Sequence, residues 1–135
     1  MKFQTLLSIA ALLALVSATP ACHDHHHDDS DDTVSPELTI SAPTENQLIE
    51  GAVQITLRAS DETSLHEMHV KVTKDSDGST VFENEPTVHD KTEFTFDEAF
   101  TPSGLSADTP MTLTVDVEDH AAHKVTKTVK FTAKL

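Results

Sequence analysis

AVQITLRAS (residues 52–60) and MTLTVDVED (residues 111–119) decide the fold. In the first, Val53, Ile55, Leu57 and Ala59 alternate with Gln54, Thr56 and Arg58; in the second, Leu113, Val115 and Val117 alternate with Thr112, Thr114 and Asp116. Successive side chains of a strand point to opposite faces, so a period of two predicts half-buried strands. The same period recurs in MHVKVTK (68–74, with Met68, Val70 and Val72 inward), TEFTF (92–96, Phe94 and Phe96), PELTI (36–40, Leu38 and Ile40) and VTKTVKFTA (125–133, Val125, Val129 and Phe131). TVFE (80–83) reads as a short edge strand. Turn signals separate these runs at APTEN, DETS, DSDG and TPSG. No segment holds a helical period for long, and six or seven strands in a chain of this length predict an antiparallel immunoglobulin-like β-sandwich of about seven strands.

Composition limits both core and partners. Aromatic residues make up 4% of the 135 residues, with no Trp or Tyr, so the core is built from Val, Ile, Leu and Phe. Nine Lys and Arg face 23 Asp and Glu, a formal net charge of −14. That balance disfavours nucleic acid and anionic membrane surfaces as partners and favours cations.

The N-terminal segment has a different character. Lys2, the apolar run LLSIAALLALV (6–16) and the small-residue segment SATPAC (17–22) have the layout of a secretory signal peptide. The run is shorter than the roughly 20 residues of a membrane span. Cys22 is the single cysteine, so an internal disulfide is excluded. With Ala21 before it, Cys22 resembles the lipidated residue of a bacterial lipobox, although Thr19 stands where such boxes usually carry Leu. Cleavage after VSA (16–18) is the alternative, giving a soluble periplasmic chain with a free thiol. The adjoining HDHHHDDSDD (23–32) has no large apolar residue to fold around and reads as a solvated tether. Its acidic run resembles the surface-export signal of Bacteroidota-type lipoproteins. These readings divide the chain into a signal peptide (1–21), a lipidated tether (22–33) and one domain (34–135).

Two stretches of the domain, PELTISAPTENQLIEGAVQITLRASDET (36–63) and VEDHAAHKVTKTVKFT (117–132), resemble bacterial Ig-like domains. In the second, His120 and His123 take positions that usually hold Asn, and Ala122 takes that of Gly. The whole layout resembles a Bacteroidota-type family of histidine-bearing Ig-like lipoproteins, a domain of unknown function. The resemblance implies that the loop at 60–66 and the loop at 118–124 lie at one end of the sandwich. His66, His120 and His123 would then approach one another, with Asp119 and Glu62 (and Asp61) as nearby carboxylates. Imidazoles and carboxylates in that number suit Zn²⁺ or Cu²⁺. His69 is expected to point outward from its strand, able to pair with a carboxylate or join the ion from the side. The tail histidines His23, His25, His26 and His27 form a secondary candidate set. The sequence assigns His89 no partner. Each of these histidines also fits a plain solvated surface position.

Catalytic patterns are missing. There is no Gly-x-Ser-x-Gly elbow, no glycine-rich phosphate loop with only three glycines, and no His-Glu-x-x-His helix. The expectation is a non-enzymatic outer-membrane, surface-exposed lipoprotein that binds zinc or copper. A tethered module that docks to a surface protein or a glycan is the alternative.

Overall fold

The computed structural model describes residues 32–135; the expected signal peptide, Cys22 and the tail residues His23, His25, His26 and His27 lie outside the described residues. Seven strands succeed one another in the order β1 (Glu37–Ala42), β2 (Gln47–Glu50), β3 (Val53–Lys74), β4 (Thr80–Asn84), β5 (Lys91–Phe100), β6 (Thr109–Asp119) and β7 (Lys124–Lys134).

The architecture turns on β3, a single strand of 22 residues. Its first part, up to Ser60, lies between β1 and β5, both antiparallel. Its second part, from Leu65, lies between β4 and β6, again antiparallel. β7 continues that layer beyond β6, and β2 closes it. One strand thus serves both layers of the sandwich, with its corner at 61–64. The turn expected at DETS is therefore a bulged corner in a continuous strand, and the expected loop at 60–66 does not separate two strands. The side chain of Asp61 explains the bend. Its Oδ1 accepts the amides of Thr63 (2.9 Å) and Ser64 (3.0 Å) and the Thr63 hydroxyl (2.8 Å), so local bonds replace ladder bonds and redirect the chain.

The sandwich is as the alternation predicts, with one departure from an all-antiparallel pattern: β2 pairs with β7 in parallel. The sequence does not signal β2, because four residues with only Ile49 partly buried leave too little alternation to read. Contacts outside the strand hold it in place. The Asn46 amide donates to Lys130 O (2.7 Å), and Glu45 Oε2 accepts the Lys130 amide (3.0 Å).

The predicted inward residues form the core: Val53, Ile55, Leu57 and Ala59; Met68, Val70 and Val72; Leu113, Val115 and Val117; and Leu38, Phe96 and Phe131 across the layers. Burying an aliphatic or Phe side chain contributes about 1.5–3 kcal/mol. Two further buried residues, Leu65 just past the corner and Val88 in the β4–β5 loop, extend the core to the corner end of the sandwich. Among the described residues, these buried side chains form one cluster that draws on both layers.

Candidate metal centre

Three histidines from three separate segments meet at the corner end of the sandwich. His66 follows buried Leu65 on β3, His89 follows buried Val88 on the β4–β5 loop, and His120 follows Asp119 at the end of β6. Their ring centres lie 4.6 Å (His89–His120), 4.7 Å (His66–His120) and 5.1 Å (His66–His89) apart. One nitrogen from each falls within 4.8 Å of the others.

Backbone contacts fix this arrangement. Val88 is 1% exposed and anchors the β4–β5 loop on the core. The loop then turns, with the Lys91 amide donating to Val88 O (3.0 Å) and the Asp90 amide to Leu65 O (3.0 Å). The second bond ties the loop to the residue before His66, which sets His89 beside it. Asp90 has a φ of 63°, a left-handed conformation that Asp tolerates better than most residues. The β6–β7 turn supplies His120. There Ala122, at φ 66°, donates its amide to Asp119 O (3.2 Å), and the Asp119 amide donates to His123 O (3.1 Å).

The electrostatics around the imidazoles favour a cation. Asp90 Oδ1 lies 3.3 Å from His120 Nε2, and its Oδ2 lies 3.7 Å from His89 Nε2. Glu67 lies 3.8 Å from His66 Nε2. His66 Nδ1 is buried and has no hydrogen-bond partner among the described residues. Leaving a buried polar atom unsatisfied costs about 1–3 kcal/mol, which an ion bound at that nitrogen would offset. Metal–imidazole bonds are about 2.0–2.1 Å, so the three donors, now within 4.8 Å of one another, would draw closer together on sharing one ion.

Of the three histidines expected to converge, the structure brings together His66 and His120. The third member of the group is His89, and His123 stands elsewhere. The reason is Asp119, a buried residue that is 1% exposed. It accepts the His123 amide (2.8 Å) and lies 2.8 Å from His123 Nδ1, so the ring is held on that carboxylate. Asp119 in turn belongs to a carboxylate group with Asp32 and Asp61, their oxygens within 4.8 Å of one another. Donors offset the repulsion there: the Thr63 hydroxyl and the Val34 amide hold the Asp32 carboxyl below the ordinary aspartate range. Glu62 is exposed and belongs to neither group. His69 points outward opposite Asp116 of β6, as its phase requires, and pairs with Glu83 of β4 (Nε2···Oε1 2.8 Å).

His89 carried one readable signal. PTVHD (86–90) places a lone Val in a polar loop, and a buried Val88 makes its neighbour's position predictable. Single apolar residues in loops are common, and the sequence alone gives this one no partner.

No protein-family model matches the chain, and neither does any curated protein. Among solved structures, the chain is similar to CopC from Methylosinus trichosporium OB3b, with a TM-score of 0.50 and 16% identity over 73% of this chain and 93% of that one. A weaker likeness, TM-score 0.46 at 19% identity, covers 75% of this chain and 47% of the Clostridium thermocellum CbhA fibronectin(III)-like modules. At this identity the CopC likeness speaks to the fold, a β-sandwich.

Proposed function

We propose that the domain binds one transition-metal ion through His66, His89 and His120, with Asp90 orienting the imidazoles. The observation that carries this reading is the convergence of three imidazoles from three separate segments, one of them with a buried and unsatisfied nitrogen. Three neutral nitrogen donors suit Cu²⁺ and Zn²⁺, and Cu²⁺ binds such sets more tightly. Carboxylates beside a metal-bound imidazole fix its orientation and raise its basicity. His123 is assigned a structural role on Asp119.

Calorimetric titration of residues 32–135, which contain the core described above and none of the tail histidines, tests the proposal. One saturable Cu²⁺ site is expected, abolished by His66→Ala or His120→Ala. Undiminished binding in both variants would contradict it.

The cellular setting belongs to the same proposal. The signal-peptide layout, Cys22 and the acidic tether support a chain lipid-anchored to the outer membrane and displayed at the surface, where a metal-binding domain would capture or pass on an ion. The interaction-module alternative leaves the three-histidine convergence without a purpose. No residue arrangement among those described favours a catalytic reading over a binding one.

A further inference from the structure

Beside the three histidines the surface falls into a groove of about 470 Å³. His66 and His89 line it, together with Glu67, Glu85, Asp116 and Lys124. A tetrahedral ion held by three protein nitrogens keeps one position for an outside ligand. Two of the three imidazoles border the groove, and its volume lies in the range of small-molecule pockets.

The lining decides what kind of ligand fits. Three carboxylates face one ammonium there, and Asp90 adds another carboxylate at the histidines. Even with the two charges of a divalent ion counted, negative charge prevails. His69 also lines the groove, but its Nε2 is engaged by Glu83. The wall therefore leaves room for a donor from outside.

Resting on the metal-binding reading above, we infer that the ion's fourth position opens into this groove and takes a nitrogen donor on a small molecule that carries positive charge. An imidazole- or amine-bearing cation fits this description, and an anionic donor such as a carboxylate does not. The metal ion supplies the bond, while Glu67, Glu85 and Asp116 select for the charge of whatever is attached to the donor. A site of this form receives its metal with a ligand attached, or gives it up to one, without first releasing a protein side chain.

The test uses residues 32–135 loaded with Co²⁺, whose visible absorption reports its coordination. Three probes share one donor and differ in charge: 1-(3-aminopropyl)imidazole is cationic, 1-methylimidazole neutral and 3-(imidazol-1-yl)propionate anionic. At low ionic strength each change of charge is expected to alter half-saturation by about fivefold, in the order cation, neutral, anion, from tightest to weakest. Glu85→Gln should narrow that spread and leave Co²⁺ uptake unchanged. If Co²⁺ binds with one-to-one stoichiometry but its spectrum ignores all three probes, the fourth position is closed and this inference fails while the metal site stands. If the anionic probe binds tightest, the assigned ligand class is wrong. If neither Co²⁺ nor Cu²⁺ binds, the metal-binding reading itself falls, and this inference with it; if Cu²⁺ alone binds, the same three probes and the same outcomes are read in the Cu²⁺ absorption.

Discussion

The imidazole of His89, on the loop before β5, lies 4.6 Å centre to centre from that of His120, on the turn after β6. His123, three residues further along that turn, is turned onto the buried carboxylate of Asp119 instead. On the proposed reading His89 and His123 have opposite roles, and substitution should separate them. His89→Ala should leave the metal-free melting temperature nearly unchanged and remove most of the rise produced by Cu²⁺. His123→Ala should do the reverse: it strips a buried carboxylate of a partner, costs about 1–3 kcal/mol, and leaves the metal-dependent rise intact. A metal at about a hundredfold excess over its dissociation constant stabilises by about 2.7 kcal/mol, a rise of roughly ten degrees or more for a domain of this size. Thermal melts with and without Cu²⁺ read both effects.

Asp90 gives a second expected outcome. Asp90→Asn keeps a residue that tolerates the left-handed backbone but removes the charge beside His89 and His120. Losing such an orienting carboxylate costs about 10–100-fold in metal affinity. Calorimetric titration of both proteins with Cu²⁺ at pH 7 reads the difference, the variant lying below the parent. Equal affinities at pH 7 would remove Asp90 from the site.

Val88 links fold and site. Val88→Ala deletes two buried methyl groups, worth about 1.6 kcal/mol by transfer, and leaves a cavity that raises the loss to about 2 kcal/mol. Because Val88 anchors the loop that carries His89, metal affinity should weaken as well, without any donor having been removed. Chemical denaturation and calorimetry on one preparation measure the two together. A destabilised variant with full affinity would show that the loop holds His89 without its anchor.

The strands were legible where one face is buried and the other wet. Val53, Ile55, Leu57 and Ala59 declare their phase by alternation, as do Leu113, Val115 and Val117, and all of them are buried. β2 was not legible, since its register comes from parallel pairing with β7 and from the contacts of Glu45 and Asn46 with Lys130, not from alternation. The corner at 61–64 carries the composition of a turn, and only pairing with four different strands shows that β3 runs through it. The candidate site was half legible. His66 and His120 follow from which loops share an end of the sandwich. Placing His89 beside them depends on the Asp90–Leu65 bond, and placing His123 elsewhere depends on the burial of Asp119; both are tertiary facts.

The proposed anchor at Cys22 predicts partitioning. Cys22→Ala should move the full-length protein from the membrane fraction to the soluble fraction of the expressing cells. Unchanged partitioning would mean that the thiol carries no lipid.

The most direct measurement is pulsed electron paramagnetic resonance on residues 32–135 loaded with one equivalent of Cu²⁺, which counts the imidazoles coupled to the ion. The account predicts three in the parent, two in His89→Ala and three in His123→Ala. An ion coupled to one imidazole or to none, as it would be if held by the oxygens of Asp32, Asp61 and Asp119, would contradict it.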